Sequence, residues 1–207
     1  WWGIESALMH GWEDGFEVHT LSELSSRGSG LGVSSSIAVS LAACFQRMVA
    51  MRTPPDRRRM TGLNAEPKWQ DGGIPGFQMR AAEDAWKVEI DRLRRPIGRQ
   101  DHMAAAHGGL RLYSFTGDKA KIEHTFSDED AAWVAKHIVL VQLPDGHDSR
   151  AILAGVKTPD TLEAADLAVD PALKALYQRD IGLLGLALQR GHKSKTMIRG
   201  AVSPDID

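Results

Sequence analysis

Three glycines at alternate positions, Gly28, Gly30 and Gly32, followed directly by Val33 and the serines Ser34 to Ser36, constrain this chain more than any other stretch. Before them, Phe16 to Leu21 alternates apolar and polar residues, the period of a half-buried strand. After them, Ile37, Leu41, Phe45 and Met48 recur at helical spacing, with Ala38, Ala42 and Val49 alongside. This predicts an apolar-rich helix buried on most sides, with Ser34 or Ser35 as its N-cap. Glycine lets the backbone approach a ligand closely. In a strand–turn–helix context, the N–H groups of Gly28, Ser29, Gly30, Leu31, Gly32, Val33, Ser34 and Ser35 converge with a helix N-terminus on one point, an anion site suited to phosphate. The Gly-Lys-Ser/Thr ending of a P-loop is absent. The third glycine is wrongly spaced for a dinucleotide fingerprint, and no βαβ unit surrounds it. A flexible Gly/Ser connector is the alternative reading.

Residues 52–77 read as a long irregular loop, with Thr53-Pro54-Pro55, Arg57-Arg58-Arg59 and Pro75-Gly76. The three arginines are either an anion contact or a solvated charge run. A second helix is expected from Met79 to Arg94, with Ala82, Ala85, Trp86 and Leu93 as its stripe and Pro96 helping to stop it. Asp101 opens a short Ala-rich helix that Gly108 closes. A carboxylate there is either a simple helix cap, stabilised as the anion, or a base facing a substrate hydroxyl. Glu89, on the preceding helix, reads by itself as a surface glutamate. Leu110–Phe115 and Lys121–Phe126 form an expected hairpin around Thr116-Gly117-Asp118. Ala131–Lys136 is a short helix and Ile138–Leu143 a strong strand candidate. Leu162–Arg190 is helical, with a break expected at Pro171 and an end at Gly191. Strands and helices mix without regular βαβ alternation, which favours an α+β fold over a doubly wound sheet.

Composition bounds the function. The 207 residues carry 43% apolar and 25% charged side chains, ordinary globular usage, enough for a core that needs no staples. A net charge of −2 excludes a general electrostatic footprint for nucleic acid or an anionic membrane. The apolar run Ile37–Phe45 is shorter than a membrane span, and no signal segment opens the chain. The single cysteine, Cys44, allows no internal disulfide, and the histidines lack metal-ligand spacing. The expectation is a reduced, cytoplasmic protein with neither nucleic acid nor membrane as partner. Oligomeric state is not encoded in any of these features.

The glycine turn and the segment Gly98-Arg99-Gln100-Asp101-His102-Met103-Ala104-Ala105-Ala106-His107-Gly108-Gly109, in this order, resemble the phosphate-binding and Asp-containing motifs of the GHMP small-molecule kinases. The wording of the second motif is most similar to the sugar-kinase branch that includes D-glycero-D-manno-heptose 7-phosphate kinase. Ser149-Arg150-Ala151, Lys193-Ser194-Lys195 and Val202-Ser203 are similar to later segments of that branch. The resemblance covers about residues 14–50 and 79–207.

The resemblance implies a two-domain α+β fold, with a ribosomal-protein-like domain over residues 1–126 and a ferredoxin-like domain over 127–207, both partial. It implies an enzyme that uses ATP and Mg²⁺ to phosphorylate a sugar or sugar phosphate, foremost the anomeric hydroxyl of D-glycero-D-manno-heptose 7-phosphate. A kinase for fucose, galactose or another sugar is an alternative, as is a non-catalytic nucleotide or sugar-phosphate binder. By the same resemblance Asp101 faces the acceptor hydroxyl. Glu89 (with Asp91 as a rival) and Ser34 hold the metal, and Gly108, Gly109 and Arg150 touch substrate. Departures are Ser26 in place of a proline, Val33 where many members carry a metal-binding serine, His102 where Gln is usual, and the long loop 52–77. The family's N-terminal strand motif is expected before Trp1 and its C-terminal glycine-rich motif after Asp207. The 207 residues alone are therefore expected to be inactive, with an unpaired sheet edge.

Overall fold

The computed structural model describes residues 17–19, 32–52, 76–95, 97–117, 119–141 and 159–197. They belong to two compact units, residues 1–108 and 109–207. The first unit contains α1 (Val33–Arg52), α2 (Phe77–Lys87), a π-helical turn (Val88–Arg92) that continues α2, and α3 (Gln100–His107). The second contains the hairpin β1 (Arg111–Thr116) and β2 (Lys119–Thr125), then α4 (Asp128–His137), α5 (Pro159–Asp166), α6 (Val169–Gln178) and α7 (Ile181–Thr196). This is an α+β chain, as the mixed pattern predicts.

In the first unit α1 packs on α2 and α3, and α2 packs on α3. The contact is made by small side chains. Ala38, Val39, Ala42, Ala81 and Ala85 form the buried cluster, with Ala43 and Ala106 against it. Small residues at helical spacing let helix axes approach closely, so added volume has nowhere to go. Ala85→Leu should therefore destabilise by about 1–3 kcal/mol through overpacking. A urea melt checks this, and an unshifted midpoint would contradict it.

Helix α1 is long and apolar enough to cross a membrane by length and composition. Its buried residues Ser35, Ala38, Val39, Ala42, Phe45, Gln46 and Ala50 fall on a single stripe. It is thus buried on one face rather than on most sides. Neither Ser34 nor Ser35 is its cap. Gly32 adopts φ +68° and its carbonyl accepts the first helical bond, from Ser36 N at 2.9 Å. That left-handed backbone starts the helix two residues earlier than a cap at Ser34 would and three earlier than one at Ser35, so both serines fall inside the first turn. The expected strand Phe16–Leu21 lies largely outside the described residues, and Glu17–His19 have no regular structure.

In the second unit the hairpin is antiparallel, from Arg111 opposite Thr125 to Thr116 opposite Lys119, with Gly117 at φ +55° in the turn. Its register breaks once, between Leu112 and Tyr113. Phe126 closes it against His124 and Tyr177, at centroid distances of 4.6 and 6.2 Å. These ring contacts tie the hairpin to α6, so it belongs with the later helices rather than with residues 1–108. Ser127 caps α4 through a reciprocal pair with Asp130, whose carboxylate also meets Arg179 Nη2 at 2.8 Å. The hydrogen bonds from the Ser127 hydroxyl and backbone hold the Asp130 carboxyl below its ordinary range.

Three expectations fail here. Pro171 does not break the C-terminal helices; it sits in the first turn of α6, where a missing N–H leaves no bond unmade. The breaks come instead at 167–168 and at Arg179, which takes φ +54° before Asp180 caps α7 through Leu183 N. Gly191 does not end α7, which runs on to Thr196 with the Ser194 hydroxyl donating to the Gly191 carbonyl. Ile138–Val141 is not a strand. Val139 is 86% exposed, and no described strand lies beside it to supply ladder hydrogen bonds.

Candidate active site

The site is assembled where α3 meets the start of α1. Three alanines make α3 a good local helix, and Gly108, at φ +60°, ends it as expected. Helical periodicity then sorts its side chains. His102 and Met103 are buried and Ala106 packs on the core, while Asp101 projects outward and is exposed. The Asp101 side chain lies against the backbone of Gly32. A Cβ placed on that glycine would sit 3.9 Å from Asp101 Cγ and 4.0 Å from Oδ2. The last glycine of the turn and the aspartate of the second motif, 69 positions apart by numbering (101 − 32), therefore share one locality.

Around that point the chemistry is uneven. The first N–H groups of α1, on Val33, Ser34 and Ser35, have no partner within the helix and carry its positive end. The Ser34 side chain is exposed and that of Ser35 buried. Asp101 lies in the first turn of α3. Among the described residues none hydrogen-bonds or ion-pairs with its exposed carboxylate. Gly28, Ser29, Gly30 and Leu31 lie outside the described residues, as do Arg150 and most of loop 52–77. Gly108 and Gly109 are both exposed, at φ +60° and +65°. Asp91 is exposed.

Glu89 is placed differently from a surface glutamate. It lies in the π-helical turn and is 2% exposed. Its Oε1 accepts from Arg95 Nη1 at 2.6 Å, and its Oε2 is 2.8 Å from Nε2 of His102, itself 1% exposed. Burial alone would raise the Glu89 pKa. The hydrogen bond and charge from His102, then those from Arg95, outweigh it and hold the carboxyl below its ordinary value of 4.5. An ionised carboxylate only accepts, so the network assigns the shared hydrogen to His102 Nε2. Both Glu89 oxygens are thus engaged by side chains and the residue is enclosed. Among the described residues no three His, Cys, Asp or Glu side chains cluster as a metal site.

The depressed carboxyl fixes the sign of a pH effect. Its stabilisation is complete above the unfolded value and is lost as pH falls through the lower folded value. The protein should lose stability progressively below about pH 4.5, the ordinary value of the group. Glu89→Gln should flatten that limb of the stability profile, measured by thermal melts across the acid range. An unchanged acid limb would contradict the assignment.

Sequence reasoning missed His102, Arg95 and the pair Arg99–Trp86 as parts of this locality. The Arg99 guanidinium stacks 3.8 Å from the Trp86 ring centroid, and its Nη1 is 3.2 Å from Glu83 Oε1. The available signal was helical phase, since residues 99, 102, 103 and 106 recur on the face of α3 opposite Asp101.

No family model matches the chain, and no solved structure matches it. A curated relative does. The chain is 26% identical over 201 residues to a D-glycero-alpha-D-manno-heptose 7-phosphate kinase of Campylobacter jejuni subsp. jejuni serotype O:2. The match takes in 92% of this chain and 52% of the relative. The chain thus spans about half the length of the curated relative it matches. That likeness supports a sugar-kinase relationship and does not reach as far as the substrate.

Proposed function

We propose that the protein is a GHMP-type kinase that transfers the γ-phosphoryl group of ATP to a sugar or sugar phosphate, foremost the anomeric hydroxyl of D-glycero-D-manno-heptose 7-phosphate. The observation that carries the reading is the side chain of Asp101 lying against Gly32. Phosphoryl transfer needs in-line placement and charge stabilisation more than covalent chemistry. Unpaired N–H groups at the start of α1 fit a polyphosphate. The open carboxylate beside them fits an acceptor hydroxyl: it orients the oxygen and takes its proton late, as the bond from that oxygen to phosphorus forms and the bridge to ADP breaks. An anomeric hydroxyl is more acidic than an ordinary alcohol, so a carboxylate needs no raised pKa for this. A divalent cation neutralises phosphate charge in such reactions. Glu89 does not fit as its ligand, so no step here is routed through a Glu89-held metal; the exposed Ser34 hydroxyl remains a candidate contact.

The relative's name supports the choice of acceptor class. A second reading, a nucleotide or sugar-phosphate binder without turnover, is favoured by Val33, which stands in the first turn of α1 where the resemblance expects a metal-binding serine. Calorimetry with Mg-ATP and product assays of the full-length protein on a panel of free and phosphorylated sugars separate the two. ADP and a new sugar phosphate support the kinase. Nucleotide binding with no product from any sugar supports the binder.

A further inference from the structure

We infer that His102, through its buried pair with Glu89, is the positioning residue for Asp101, and that Glu89 serves this strut rather than a metal. The inference rests on the kinase reading for its kinetic readout alone. Its geometric basis is independent.

Asp101 is exposed and has no described partner, yet a base that must meet one oxygen needs its place defined closely. Its neighbours supply that definition. One residue on, His102 is enclosed and joined by Nε2 to Glu89 at 2.8 Å. Its other ring nitrogen, Nδ1, is buried with no partner among the described residues, where the Glu89 bond is that ring's one polar tether. Two residues back, Arg99 is clamped between Trp86 and Glu83 of α2. Met103, next on the same face, is 1% exposed. The His102 bond joins α3 to the π-helical turn, and the Arg99 contacts join its start to α2. The turn itself is part of the device, because Glu89 lies in the widened segment Val88–Arg92 and Arg95 reaches back to its second oxygen at 2.6 Å. The strut thus sets the rotation of α3 about its axis, and that rotation decides whether Asp101 lies against Gly32. The imidazole at 102 is a departure of this chain from the pattern it resembles, and it is the atom group that occupies the glutamate.

The test uses the full-length protein and the variants His102→Leu, His102→Gln and Glu89→Gln. His102→Leu should lower kcat by about 10²-fold, the scale of a misplaced catalytic group, with the KM for Mg-ATP and the Mg²⁺ concentration for half-maximal rate unchanged. His102→Gln, whose amide can still donate to Glu89, should recover most of that loss. Recovery in His102→Gln is measured against wild type, so it decides the matter even where His102→Leu does not fold. Glu89→Gln should leave the Mg²⁺ requirement unchanged. A raised Mg²⁺ requirement in Glu89→Gln, with kcat restored at saturating metal, would overturn the inference and make Glu89 a metal ligand. So would a His102→Gln enzyme that folds with kcat as low as that of the leucine variant. If wild type shows no turnover at all, the kinase reading fails, and the strut is still read from the Asp101 carboxyl ¹³C resonance. That signal should be conserved in His102→Gln and moved or broadened in Glu89→Gln, whose amide cannot accept from both donors as the carboxylate does. An Asp101 signal indifferent to both changes overturns the strut.

Discussion

Asp101→Asn in the full-length protein should lower turnover by about 10²–10⁴-fold, the usual worth of a positioned proton acceptor. Binding of Mg-ATP should survive. The reason lies in where the two functions sit. The nucleotide's phosphates are assigned to backbone N–H groups at the start of α1, which a side-chain change at 101 leaves in place, whereas only the carboxylate can take the acceptor's proton. Asparagine has the same shape and still suits the first turn of a helix, and Asp101 is exposed. Stability should therefore move by no more than about 0.5 kcal/mol, as is usual for a surface change. The loss is then chemical and not a folding defect. Steady-state kinetics with calorimetry on the same preparation checks this, and turnover close to wild type would remove Asp101 from its role.

The second large effect concerns folding. Glu89→Ala should destabilise the protein by about 3–5 kcal/mol, the range for removing one member of a buried pair. Arg95 is about one-third exposed and can turn to water, which limits the damage on that side. His102 cannot escape in the same way. It is 1% exposed, already has one unpartnered nitrogen, and would be left with two. An unsatisfied buried donor costs more than a normal hydrogen bond contributes. Urea unfolding of the variant against wild type measures the difference. A change no larger than that of a surface mutation would show that Glu89 is not enclosed as described.

How much of this could be read beforehand follows from the range of the forces involved. Local rules did well where the information is local. The hairpin 111–125 follows from alternation around a turn glycine, and α3 follows from three alanines and Gly108. They failed where position within an element matters. Pro171 carries the same sequence signal whether it stops a helix or opens one, and only the starting point of α6 decides which. Ile138–Leu143 has strand composition, but a strand is made by its neighbour's hydrogen bonds, and composition says nothing about that neighbour. The meeting of Asp101 with Gly32 was readable only through the resemblance, because no periodicity links residues so far apart. The Glu89–His102 pair was hidden for the opposite reason. Glu89 reads by itself as a surface glutamate, and only the phase of α3 against α2 turns it and His102 inward.

The claim on which the account stands is that one nucleotide's polyphosphate lies at the start of α1 with the Asp101 carboxyl beside it. Titrating full-length protein, ¹³C-labelled in its aspartate carboxyls, with Mn-ATP tests this directly, since a paramagnetic ion broadens only nearby signals. The account predicts that the Asp101 resonance, assigned by its loss in Asp101→Asn, broadens early in the titration. An Asp101 signal that stays sharp while calorimetry shows Mn-ATP fully bound would contradict it.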